Sequence, residues 1–243
     1  MDSTLPFSNA MLATLRSPVG IVVGWSAFAG SHMVMSHPSN REKLINTLGE
    51  KPFLAAYSII AFATFVPTTL IYARYGAGKG TKFWSGSSRF VRAAGWSTKV
   101  LGAISFTQAI STPSPAAAAG KSSLEREAEG EVEESNAVEP KGIQRVTRHG
   151  LFFGVALLGI GQLMTRGRLG DILYWGGYPV FWFIGSAHQD YRQRKTLPAS
   201  FYEKTSLIPF QAIVQGRNSW KEASKEMNWQ IAGMTVVGAL FVL

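Results

Sequence analysis

The sequence predicts an all-α membrane protein: a polytopic bundle of about six transmembrane helices, with an acidic disordered linker between the third and fourth. Three observations predict it. Charged residues are only 16% of the 243-residue chain, against about 25% in ordinary globular domains. Mean hydropathy is slightly positive although one long stretch is strongly polar, so the apolar residues are concentrated in segments. Those segments approach the roughly 20 residues that a helix needs to cross a bilayer.

Residues 1–17 form an N-terminal segment. It holds Arg16 but also Asp2, and lacks the basic start and apolar core of a secretory signal. Residues 18–112 form an N-terminal membrane half of three helices. The first, 18–36, reads PVGIVVGWSAFAGSHMVMS, and its Gly20 and Gly24 form a small-xxx-small pair that permits close helix packing. The second, 53–73, reads FLAAYSIIAFATFVPTTLIYA. Pro67 removes one backbone bond within it, which neighbouring Thr side chains can replace. The third, 90–111, carries Arg92 and Lys99, and charges in hydrocarbon are costly.

Residues 113–142 hold seven Glu and almost no large apolar side chains. That composition reads as the disordered linker. The C-terminal membrane half, 143–243, contains apolar stretches at 146–164 and 171–187. A basic interfacial segment over 188–228 follows, and then the terminal WQIAGMTVVGALFVL.

The net charge is +9, but Lys and Arg flank apolar segments and form no single basic face. A nucleic-acid partner is not expected, and membrane lipid is. With six spans, the loops on one side carry 15 Lys and Arg and those on the other carry 7. The richer side is cytosolic, stromal or matrix by the positive-inside rule. The chain has no cysteine, which excludes disulfides, thiolate nucleophiles, iron–sulfur clusters and thiolate-ligated haem.

The four histidines carry the functional signal. His32 and His37 close the first span, His149 opens the fourth and His188 closes the fifth. The six-span topology puts all four on the basic side. Neutral imidazole ligates haem iron or another transition metal. There are no carboxylate-rich His-x-x-Glu helices for a di-iron site and no His-Glu-x-x-His zinc motif. Haem with two histidine ligands is the better metal hypothesis, and Met33, Met35 and Met164 keep a His/Met pair open. Asp190 follows His188 by two residues. It either orients that histidine or pairs with Arg192 or Arg194.

Several segments together carry a resemblance: GSHMVMS in the first span, REKLINTLGEKPFLAAYSIIA leading into the second, RVTRHG, GSAHQDYRQRK and FYEKTSLIPFQAIVQGRNSWKEASKEMNW. In order and spacing they resemble the NnrU family, which includes the 15-cis-ζ-carotene isomerase of plants, algae and cyanobacteria. The resemblance implies an integral membrane protein. For the isomerase branch it implies haem b, an apolar polyene substrate, cis–trans isomerisation of ζ-carotene, and a plastid membrane where the source is photosynthetic. It makes His32 and His149 the metal ligands, with His188 and Asp190 completing the cofactor site.

Two positions depart from the family pattern. Gly150 stands where an Arg-His-Pro motif has its proline, and Gln162 where many members have a histidine. Aromatic residues Trp25, Phe152, Phe153, Trp175, Phe181 and Trp182 are available to line an apolar tunnel. A non-enzymatic haem-binding protein is the second reading. The third is a membrane methyltransferase of the isoprenylcysteine type, which also uses an Arg-His-Pro motif and binds S-adenosylmethionine.

Overall fold

The computed structural model describes residues 13–14, 16–113, 115 and 138–242. Most of the acidic linker and of the N-terminal segment lies outside the described residues. In chain order the described elements are α1 (Pro18–Ser36), α2 (Pro38–Leu48), α3 (Glu50–Ile71), a π-helical turn (Tyr72–Gly76), β1 (Lys82–Ser85) and α4 (Arg89–Ser111). Then come α5 (Ile143–Val146), α6 (Gly150–Thr165), β2 (Arg166–Arg168), α7 (Leu169–Trp175) and α8 (Gly177–Gln193). The chain ends with α9 (Ala199–Lys204), α10 (Gln211–Val214), α11 (Trp220–Glu226) and α12 (Trp229–Val242).

Local chemistry sets many of the ends. Ser17 caps α1 by accepting from the Val19 N–H at 3.2 Å, and Pro18 follows at the first helical position, where its missing N–H costs nothing. Gly49 closes α2 at φ 88°, its N–H donating to the Ile45 carbonyl. That left-handed region suits glycine. Ser219 caps α11 with Glu222 three residues on, a capping-box pattern.

Two helical stretches, Pro18–Ser36 and Glu50–Gly76, are long and apolar enough to cross a membrane. Helix α4 has the length but carries Arg89, Arg92 and Lys99. Helices α6 and α12 are apolar but shorter. The expected fifth span is divided at Gly176 into α7 and α8. The all-α expectation needs one amendment, because β1 and β2 pair antiparallel in a two-stranded sheet.

The described residues fall into two compact units, those up to 97 with 159–181, and those of 98–158 with 182–242. Each draws on both sequential halves, because packing follows the helix faces and not the linker. In the first unit α1 lies along α3, and α7 returns against α1 and the π turn. Ile21, Tyr72 and Tyr174 form its core. A Cβ on Gly24 would come 2.1 Å from the Thr68 hydroxyl, so glycine is what allows α1 and α3 to approach. In the second unit Ile143, Val146 and Ala223 form the core, with Ala109, Ile213 and Met227 packed around it.

Candidate functional site

The expected histidines fall in both units. In the first unit His32 lies in the last turns of α1. Its Nδ1 is 2.9 Å from the Phe28 carbonyl. A carbonyl only accepts, so Nδ1 carries the proton and Nε2 keeps a lone pair in the neutral ring. The same arrangement orients metal-binding histidines. Phe28, Tyr57 and Phe181 surround the imidazole at centroid distances of 4.2, 4.8 and 5.7 Å. The ring is therefore fixed in an aromatic setting with one nitrogen available. His37 instead sits at the N-cap of α2, with Nδ1 3.0 Å from the Ser39 hydroxyl.

The second unit builds its site around the Arg148–His149 pair. The segment that presents it is tied down by its backbone. Arg148 N–H donates to the Ser206 carbonyl at 3.0 Å, the Thr147 hydroxyl donates to the Leu207 carbonyl at 2.9 Å, and Phe210 N–H donates to the Val146 carbonyl at 2.8 Å. Upstream, Arg145 donates to both Glu226 oxygens at 2.8 Å, and those bonds hold the Glu226 carboxyl below its ordinary range.

Asp190, on α8, joins the pair. Its Oδ1 accepts from His149 Nε2 at 2.7 Å, and its Oδ2 accepts from Arg148 Nη2 at 2.7 Å. Burial pushes the Asp190 carboxyl up, but the bonds from His149 and Arg148 outweigh it and leave the group below the usual carboxylate range. Arg148 also donates to the Thr205 hydroxyl at 3.2 Å and lies 5.0 Å over the Tyr202 ring. His149 is 6% exposed. An ionised carboxylate only accepts, so the His149 proton sits on Nε2 and Nδ1 is the remaining polar atom of the ring.

His149 and Arg148 line a cavity of about 300 Å³ together with Ile143, Gln144, Phe152 and Gln189. That volume is at the lower end of the range for small-molecule pockets. The walls are largely apolar, with His149, Arg148 and Gln144 among the polar lining.

The structure gives Asp190 partners that its sequence neighbours did not suggest. Its carboxylate accepts from His149 and Arg148. Residues two apart on a helix point in different directions, and α8 turns Asp190 towards Arg148 and His149. Arg194 lies 5.2 Å over the Tyr202 ring, and the His188 and Tyr191 rings are 6.4 Å apart. The contribution of Arg148 was missed from the sequence, although the adjacent Arg and His of RVTRHG were its signal.

Gly150 has a local reason. A Cβ there would come 2.8 Å from Ile143 Cγ1 and 3.1 Å from its Cγ2, so the Ile143 side chain occupies the space that a proline would need. Of the expected tunnel aromatics, Trp25 donates to the Tyr174 carbonyl at 3.0 Å and Trp175 to the Tyr72 hydroxyl at 2.8 Å. Both hold the first unit together. Phe152 alone among the six lines the cavity.

Among the described residues no three His, Asp or Glu side chains converge as a metal-binding group. Haem needs fewer, because its porphyrin supplies four of the iron's ligands and the protein one or two.

No curated protein matches the chain, and no solved structure does. A family model described as NnrU protein matches residues 20–243. That match spans nearly the whole chain, and the protein belongs to the NnrU family.

Proposed function

We propose that this NnrU-family protein is a haem-binding integral membrane protein and acts as a cis–trans isomerase of 15-cis-ζ-carotene. The observation that carries the reading is His32. Its Nδ1–H is held by the Phe28 carbonyl at 2.9 Å, it lies among three aromatic rings, and its Nε2 is left to ligate. His149, in the second unit, is the other candidate ligand, and Asp190 is the carboxylate that orients its ring. The six-span topology belongs to the same reading, and in a photosynthetic source the membrane is that of the plastid.

When bound, haem iron supplies electron density that lowers the double-bond character of a cis bond and lets it rotate. The chain's own residues bind and orient. His32 holds its ring nitrogen fixed against Phe28, with the Phe28, Tyr57 and Phe181 rings around it. His149 is anchored by Asp190, which Arg148 keeps ionised.

The test is the visible spectrum of the detergent-purified protein beside His32→Ala and His149→Ala. A Soret band in the wild type that weakens severalfold in His32→Ala is expected. Unchanged haem content in both variants refutes the ligand assignment. Activity is read in a carotenoid-producing bacterium that accumulates 9,15,9′-tri-cis-ζ-carotene, where the 9,9′-di-cis product must rise in the dark. A Soret band without that product favours a non-enzymatic haem-binding role. The engagement of His149 Nε2 by Asp190 is the observation on that side.

A further inference from the structure

The two-stranded sheet of the first unit gathers cations with no acid to match them. β1 carries Lys82, and the turn before it Lys79. β2 carries Arg166 and Arg168. Arg74 lies in the π turn, and Arg89 and Arg92 open α4. All seven residues are exposed. None takes part in an ion pair among the described residues. The one acid within these segments is Asp171, which is buried and accepts from the Tyr72 hydroxyl at 2.8 Å and the Gly78 N–H at 3.2 Å.

The strand register sharpens the imbalance. Lys82 stands directly opposite Arg168, and like charges across an antiparallel pair repel at Cβ separations of about 5 Å. The pair is held together nonetheless. Arg168 Nη1 donates to the Gly80 carbonyl at 3.1 Å, and Trp84 Nε1 donates to the Leu163 carbonyl at 2.8 Å. Gly167 admits Trp84, since a Cβ there would lie 2.4 Å from the Trp84 carbonyl oxygen. Two exposed cations at facing positions of a ladder, with no acid between them, suit an anion.

The neighbours identify the kind of anion. Phe83 is 61%, Phe90 82% and Trp84 41% exposed. The candidate span Glu50–Gly76 ends six residues before β1 begins. Aromatic and basic side chains together at the end of a membrane helix match the head-group layer of a bilayer. A nucleic acid would share the charge but not the exposed apolar rings at a span end.

We propose that this sheet binds the head groups of anionic phospholipids, with Lys82 and Arg168 sharing one phosphate and Phe83 and Phe90 seated among the glycerol and upper acyl groups. The site is independent of the histidines and of the haem reading.

The experiment uses the full chain in nanodiscs of phosphatidylcholine with or without phosphatidylglycerol. Retained lipid is read by native mass spectrometry and stability by the thermal midpoint. The wild type is expected to retain phosphatidylglycerol preferentially and to melt higher in its presence. Lys82→Thr with Arg168→Thr should lower that retention at least about fivefold, while Lys195→Thr leaves it unchanged.

Lys82→Glu guards against a folding defect. It converts the repelling pair to an attracting one, so it should melt no lower than wild type without phosphatidylglycerol and lose the rise with it. Equal retention of both lipids by the wild type overturns the proposal, as does undiminished retention in the double variant. Stabilisation by inorganic phosphate alone to the same extent overturns the lipid assignment. So does tight binding of a DNA oligonucleotide that phosphatidylglycerol does not displace.

Discussion

Asp190 meets Arg148 and His149 at 2.7 Å each, in surroundings that leave the three side chains nearly enclosed. Asp190→Asn keeps the shape and removes the charge. A buried cation stripped of its partner costs about 3–5 kcal/mol, and for a chain of this length that corresponds to a fall in Tm of roughly 6–20 °C. Thermal unfolding in detergent measures it, and a shift below 2 °C rejects the arrangement. The pH dependence has a definite sign. The native carboxyl lies below its ordinary value, so the folded state holds this proton more weakly than the unfolded chain. Its stabilisation is complete above the unfolded value of about 3.9 and disappears as pH falls through the lowered native value. Asp190→Asn should therefore flatten the acid limb of the Tm profile below about pH 4, leaving the part due to Glu226. Parallel wild-type and variant limbs would contradict this. The sequence singled out Asp190 and His149 but did not reveal that they meet. Forty-one residues separate them, and only the placement of α8 against the α5–α6 connection brings them together.

At the level of elements, the apolar stretches were legible because helix length and composition are local. Expected spans at 18–36, 53–73 and 90–111 became α1 at Pro18–Ser36, α3 with its π turn at Glu50–Gly76, and α4 at Arg89–Ser111. The sheet was not legible. β2 is the three residues Arg166–Arg168, too short for an alternating pattern, and its partner lies across a distant connection. The break at Gly176 was equally hidden within a continuous apolar run. Of the Gly20–Gly24 pair, Gly24 sits at a close approach to Thr68, and the contact is testable. Gly24→Val drives a side chain into Thr68, whose Oγ1 is 2.1 Å and whose Cβ is 2.9 Å from the new Cβ position. Overpacking costs about 1–3 kcal/mol, read as a lowered Tm. Thr68→Ala in the Gly24→Val background removes the nearer clash and leaves the one at Cβ, so it should restore part of the loss. No loss in Gly24→Val, or a further loss in the double variant, would show that the helices do not meet there.

For the whole molecule, the decisive feature is where the apolar side chains point. Ile59, Phe62 and Leu70 on α3 are 67%, 68% and 62% exposed, and only 6% of the apolar window of this helix is buried within the protein. A core helix of a soluble protein would cover those side chains. A helix in hydrocarbon need not, because lipid replaces the missing neighbours and the backbone is satisfied within the helix. The two cases respond oppositely to one substitution. Phe62 lies near the middle of Glu50–Gly76, so Phe62→Lys would put an ammonium group at the centre of the bilayer, at about 2.5–3.5 kcal/mol of insertion free energy. On a water-facing helix the same change would cost within about 0.5 kcal/mol and improve solubility. Expression with fractionation separates the outcomes. The membrane-inserted fraction should fall severalfold for Phe62→Lys and stay at the wild-type level for Glu50→Lys at the helix end, where a lysine reaches the interface. If Phe62→Lys inserts as fully as wild type, α3 does not span the bilayer.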